Sequence, residues 1–250
     1  MKKLVILLAL LPMIALAQAT NPDGNPPPKP EATEVWSPVP PKVEPAKMLG
    51  QPPSDAIVLF EGKDLSNWES VNGGPAEWGI ENGEMVDRPK AGHIQTVQKF
   101  GDCQLHVEWM IPVLPPDRKG QDRGNSGVFL QGLYEVQVLD TYDNPTYVNG
   151  EAGAIYKQSA PLVNALKPAP NWQVYDIVYY APRFYKDGTL AEPAHITVFL
   201  NGILVQNNFA IKGPTDYRML PVYHAHGDAP LMLQAHNNAV HYRNIWIRKL

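Results

Sequence analysis

Cysteine is almost missing from this 250-residue chain: Cys103 is the only one. A lone thiol cannot close an intrachain disulfide, and zinc-finger or iron–sulfur sites need several thiolates at set spacings. Charge is also scarce, at 18% of residues and a net −4, which argues against a basic nucleic-acid binder. Apart from the first 20 residues there is no long apolar run. Segments with helical periodicity are few, and no repeat of fixed period marks a propeller or solenoid.

What is abundant is proline, 26 residues unevenly placed. The opening MKKLVILLALLPMIALAQA carries two lysines, an apolar run from Leu4 to Leu16 and the small-residue ending Ala17-Gln18-Ala19. That is the layout of a signal peptide spanning 1–19, and it predicts a secreted or periplasmic protein. The apolar run is shorter than the ~20 residues a membrane helix needs and is broken by Pro12, so no integral membrane segment is expected in the mature chain. Residues 20–53 hold 11 of the prolines and read as an extended linker. A single folded unit is expected over 54–250.

Within that unit period-two alternation dominates. It predicts strands over 56–60, 78–81, 84–86, 104–111, 127–131, 134–139, 173–180, 195–200, 203–207, 231–235 and 240–248. Asn82-Gly83 and Asn201-Gly202 suit tight hairpins, because both central positions tolerate positive φ. So many short strands in one unit point to an all-β sandwich or jelly roll.

Strand parity separates core from candidate site. Leu105, Val107, Trp109 and Ile111 alternate with Gln104, His106 and Glu108; Tyr134, Val136 and Val138 alternate with Glu135 and Gln137; Leu231 and Leu233 alternate with Gln234 and His236. The polar set His106, Glu108, Glu135, Gln137, Gln234 and His236 is richer in acid/base groups than a plain solvent face requires. Before the strand at 127, Arg123-Gly124-Asn125-Ser126-Gly127 combines a guanidinium with glycines that permit close backbone approach to a ligand. Cys103 has no motif around it and reads as a structural thiol. His224-Ala225-His226 has the spacing of a metal pair but no third ligand.

Five ordered stretches are FGDCQLHVEW at 100–109, GNSGVFLQGLYEVQVLD at 124–140, GAIY at 153–156, WQVYDI at 172–177 and PLMLQAHNNAVHYRNIWIR at 230–248. Together they resemble the 3-keto-disaccharide hydrolase family, also described as 3-keto-glucoside 1,2-lyase and 3-keto-2-hydroxy-glucal hydratase. The resemblance implies a concanavalin A-like lectin/glucanase jelly roll acting on a carbohydrate substrate, with elimination at carbons 1 and 2 followed by hydration. Retaining glucanases of that broad fold use two carboxylates on one strand. Here Glu135, Gln137 and Asp140 stand in a comparable place, but Gln137 cannot titrate and alternation turns Asp140 to the other face.

A 3-keto group acidifies the hydrogen on carbon 2, so the chemistry needs a base, an acid for the leaving oxygen and a group that stabilises an enolate. Glu108 and Glu135 are the expected carboxylates, with His106 or His236 as partner. Arg123 or a divalent metal ion is the candidate enolate stabiliser. Asn125, Gln137, Asp140, Gln234 and Arg243 are expected to contact substrate hydroxyls, with Trp68, Trp78 or Tyr147 stacking on a sugar ring. The competing expectation is a non-catalytic, lectin-like carbohydrate-binding module on the same fold.

Overall fold

A computed structural model describes residues 29–250; the expected signal peptide and the first part of the linker lie outside the described residues. The described chain divides into two units, one ending at Lys42 and the other spanning Val43–Leu250. In the described part of the first, a short 3-10 turn at Pro30–Thr33 is followed by exposed, proline-rich chain.

The second unit is the expected jelly-roll sandwich. Its strands are β1 (Ile57–Phe60), β2 (Trp68–Ser70), β3 (Gly79–Glu81), β4 (Glu84–Val86), β5 (Ile94–Phe100), β6 (Cys103–Met110), β7 (Ser126–Leu130), β8 (Tyr134–Val138), β9 (Gln173–Tyr180), β10 (Arg183–Phe184), β11 (Leu190–Glu192), β12 (His195–Leu200), β13 (Ile203–Ala210), β14 (Ala229–Leu233) and β15 (His241–Lys249). An eight-stranded antiparallel sheet runs β13-β12-β9-β6-β15-β4-β3, with β1 also on β15; a five-stranded sheet runs β2-β5-β14-β7-β8. β10 and β11 form a separate ribbon.

Parity lines the space between the sheets as expected. Leu105, Val107 and Trp109 of β6 and Tyr175 and Ile177 of β9 face Val128, Tyr134, Val136 and Leu233 of the smaller sheet, all fully buried. Two tyrosines stitch the sheets across this core: Tyr175 Oη donates to the Gln137 carbonyl (2.6 Å), and Tyr242 Oη meets Ser126 Oγ (2.7 Å). Both Asn-Gly turns adopt positive φ at each position, Asn82/Gly83 at 52° and 80° and Asn201/Gly202 at 54° and 79°. Cys103 is free and buried, and burial, reinforced by Asp102, pushes its thiol up to about 12.

Four strands are not anticipated by alternation: β2, β5, β10 and β11. β5 is instructive, because its inward residues include Thr96, which is fully buried. The Thr96 hydroxyl donates to the Gln98 carbonyl and accepts from Leu231 N–H, so a polar side chain serves the interior and hides the apolar pattern.

The folded unit also begins earlier than position 54. Glu44 and Ser54 bond reciprocally, Glu44 N–H to Ser54 Oγ (3.0 Å) and Ser54 N–H to the Glu44 carbonyl (3.1 Å). Between them the Gly50 carbonyl accepts from Asn244 Nδ2 (2.7 Å) and Trp246 Nε1 (2.9 Å). Residues 43–53 therefore strap the outer face of the larger sheet beside a bulge in β15, where Asn244 has φ 45°. A chain beginning at Val43 should match the parent's stability. One beginning at Ser54 should lose roughly 1–3 kcal/mol, because two side-chain donors lose their acceptor. Chemical denaturation of the two truncations decides this, and equal midpoints would show that the strap contributes nothing.

Candidate functional site

Outward-facing residues of the smaller sheet line a cavity of about 430 Å³, within the range of small-ligand sites. Its floor is Phe129 of β7 with Glu135 and Gln137 of β8. Asn125 precedes β7, and Gln234 and His236 follow β14. Tyr147 and Tyr156 come from the loop after β8, Thr215 and Tyr217 from the loop after β13, and Gln121 from a 3-10 turn. The structure thus brings together Asn125, Glu135, Gln137, Gln234 and His236 of the residues singled out by sequence, together with Tyr147.

Glu135 is the centre of the arrangement. Only 3% of its surface is exposed, and burial pushes its carboxyl up to about 8, so it is neutral at pH 7. Gly127 makes room for it on the adjacent strand: a Cβ there would stand 2.5 Å from Glu135 Oε1 and 2.7 Å from the Phe129 ring. The loop over 153–156 pairs with β8 from its free edge. Gln137 N–H donates to the Ala154 carbonyl, Gly153 N–H to the Gln137 carbonyl, and Tyr156 N–H to the Glu135 carbonyl. That pairing sets Tyr156 beside Glu135. The hydroxyls of Tyr147 and Tyr156 are 2.6 Å apart, and burial holds both phenols protonated.

Amide side chains fill the rest of the lining. Gln137 Nε2 donates to Gln121 Oε1 (3.0 Å) and Asn125 Nδ2 to the Gln121 carbonyl (2.8 Å). The Oε1 atoms of Gln137 and Gln234 are buried with no donor among the described residues. Buried acceptors left unpaired are costly, and two in one cavity offer places for ligand hydroxyls. His236 is exposed on the cavity rim, and the backbone behind it is pinned from below. Its N–H donates to Asp87 Oδ2 (3.2 Å), and the preceding Ala235 N–H donates to His93 Nδ1 (3.1 Å). Burial pushes Asp87 up to about 6 and His93 down, the latter helped by His236.

The other sequence candidates lie elsewhere. Glu108, His106 and Arg243 project from the outer face of the larger sheet, so Glu108 cannot share chemistry with Glu135. The reason is parity itself: β6 and β8 belong to different sheets, and both turn these residues away from the common core. There the polar groups satisfy one another. Glu108 accepts from Arg243 Nε (2.6 Å) and Asn244 Nδ2 (2.8 Å), and His106 Nδ1 meets Asp176 (2.7 Å) while its ring stacks on Trp246. Burial raises Glu108, but its partners prevail and hold it down at about 2; burial opposes charge on His106, yet Asp176 and Glu108 raise it to about 8. Arg243 also covers the Trp172 ring at 4.0 Å.

Arg123 and Asp140 are likewise removed from the site by pairing with each other, Nε to Oδ2 at 2.7 Å, away from the cavity lining. Trp68 and Trp78 are core residues. His226 uses both ring nitrogens, on Tyr134 Oη and the Gly227 carbonyl. Among the described residues no three His, Cys, Asp or Glu side chains come together in a group that could hold a metal ion. Gln121, Tyr156, Thr215 and Tyr217 were not anticipated as site residues. They come from loops, where no periodicity reports direction; only the GAIY stretch ending at Tyr156 carried a signal.

Comparison with known proteins identifies the family and the fold. The sequence pattern of the "3-keto-alpha-glucoside-1,2-lyase-like domain" matches residues 55–248. A crystal structure of a "putative glycosyl hydrolase" from Parabacteroides distasonis is 50% identical, with 93% of this chain and all of that one covered, at a TM-score of 0.84. A second "putative glycosyl hydrolase" from the same organism shares the fold at 21% identity and a TM-score of 0.57, over 78% of this chain and 94% of that one. No curated protein matches the chain.

Glu135→Gln keeps the shape of the side chain and removes its proton. Between about 4.5 and about 8 the unfolded chain ionises this carboxyl while the folded one keeps it neutral, so the parent loses stability as pH rises through that window and no further above it. The variant's melting temperature relative to the parent should therefore rise by several degrees between about pH 4 and about pH 9. A difference independent of pH would contradict the burial argument.

Proposed function

The chain belongs to the 3-keto-alpha-glucoside-1,2-lyase-like family, and from that premise we propose that it cleaves 3-keto-glycosides by elimination across carbons 1 and 2, followed by hydration. The family and the relatives described as glycosyl hydrolases support a carbohydrate-active enzyme. One observation carries the finer reading: a neutral, buried carboxyl shares a cavity with an imidazole and a pair of protonated phenols.

The chemistry divides among these groups. His236 takes the proton from carbon 2, and the electron pair forms an enolate whose oxygen, at carbon 3, accepts hydrogen bonds from the Tyr147/Tyr156 pair. Phenols held in the protonated state are suited to donate there. The pair then returns to restore the ketone and make the carbon 1–carbon 2 double bond, while the bond from carbon 1 to the aglycone breaks. Glu135 gives its proton to the departing oxygen. In the second half, water adds to carbon 1 and gives a proton to Glu135 carboxylate, while His236, exposed enough to have exchanged its proton with solvent, delivers a solvent-derived proton to carbon 2. Both groups end as they began, and the net result is hydrolysis to a free 3-keto sugar. Gln137, Gln234 and Asn125 hold ring hydroxyls. The export-type sequence at 1–19 extends the proposal to a secreted or periplasmic enzyme. No helix among the described residues is long and apolar enough to cross a membrane.

Incubation with 3-keto-trehalose or a 3-keto-β-glucoside in deuterated water tests the reading. The 3-keto-glucose released should carry deuterium at carbon 2, and kcat should fall as pH rises above about 8, where Glu135 loses its proton. Glu135→Gln should lower kcat/KM by about 10²–10⁴-fold and Tyr156→Phe by a smaller factor. Cleavage without deuterium at carbon 2 would favour direct displacement. Tight sugar binding with no turnover would instead identify a lectin-like module.

A further inference from the structure

Two cations flank the mouth of this cavity, and neither is in an ion pair among the described residues. The Lys157 ammonium lies 4.0 Å from the centroid of the Tyr147 ring, 5.2 Å from Tyr217 and 5.8 Å from Tyr156, all three of which line the cavity. The Arg218 guanidinium lies 5.7 Å from the Tyr217 ring. Both side chains are exposed. Six of the seven arginines, at 88, 118, 123, 183, 243 and 248, are in ion pairs, and Arg218 is the exception among the described residues. The nearest acid in sequence, Asp216, directs Oδ1 to the backbone N–H groups of Arg218 and Met219.

The cavity supplies no compensating charge either, since Glu135 stays neutral up to about 8. Lys157 is also held in place. Its φ of 63° is a conformation that favours glycine, and its N–H donates to the Asn149 carbonyl at 2.8 Å. An acidic chain of net −4 thus places two cations that are in no ion pair among the described residues where a bound glycoside would emerge, with the Asp216 carboxylate engaged by backbone N–H groups. The same net charge disfavours an extended polyanion such as nucleic acid as the partner.

We propose that Lys157 and Arg218 form an anion subsite that receives a carboxylate or sulfo group on the aglycone, so that acidic glycosides are the preferred substrates. The assignment rests on the preceding reading, in which the glycone lies inside beside Glu135 and the aglycone at the mouth.

Binding separates the two ideas, because unoxidised glycosides need not turn over. Calorimetric titration of the full chain would use phenyl β-glucoside, its 4-carboxyphenyl analogue and its 4-sulfophenyl analogue. At low salt one or both acidic ligands should bind about tenfold more tightly than the neutral one, and at about 1 M salt the preference should vanish through screening. The Lys157→Gln/Arg218→Gln double variant should lose the preference at low salt as well. Equal affinity for all three ligands, no measurable binding by any, or a preference that survives salt and the double substitution would overturn the proposal. If 3-keto substrates are not cleaved but the charge preference is present, the proposed reaction fails and the anion subsite stands.

Discussion

The pairing of residues 153–156 along β8 is the contact on which the site depends. β8 is the edge strand of the smaller sheet, and an unpaired edge would leave its backbone groups to water or to another chain. Ile155 bridges to Val136 and is itself fully buried, so the segment is anchored by packing as well as by hydrogen bonds. The same contact covers the outward face of β8. Glu135, which on an open sheet would be a solvated carboxylate, is desolvated, and the Tyr147–Tyr156 pair is set next to it. The proton on Glu135 is thus a consequence of how a strand edge is closed.

Two polar clusters on the two outer faces illustrate how a structural network differs from a site. Around Glu108 each charged group has a counterpart, and the strap residue Gly50 accepts from both Asn244 and Trp246. The depression there, about 630 Å³ and lined by Glu108, Arg243 and Asn244, is larger than the cavity on the other face, yet its polar groups bond to one another. Around Glu135 the opposite holds. Among the described residues the carboxyl has no counter-charge, and two amide oxygens have no donor. Groups satisfied within the fold stabilise it; groups left waiting in a concave space define where a ligand belongs.

Much of this was legible in the chain itself. Alternation located eleven of the fifteen strands, and the polar parity of β8 and the end of β14 identified Glu135, Gln137, Gln234 and His236 as one class of residue. Identical reasoning selected His106 and Glu108 on β6, because parity reports only inward or outward. It cannot say which of two sheets a strand joins. Arg123 failed for a related reason: its partner Asp140 lies 17 positions away, and their contact depends on how two loop ends meet.

By itself the sequence determined the all-β class, the core-facing residues and the Asn-Gly turns, since those follow from local side-chain period and backbone φ preferences. The family resemblance was legible there too. Only the tertiary structure decided that Glu135 and Glu108 stand back to back across the sandwich. It also decided that loop tyrosines complete the cavity and that one carboxyl is protonated while the other is strongly ionised. Those properties depend on distances between residues remote in sequence and on how much water each carboxyl retains, neither of which is written in local pattern.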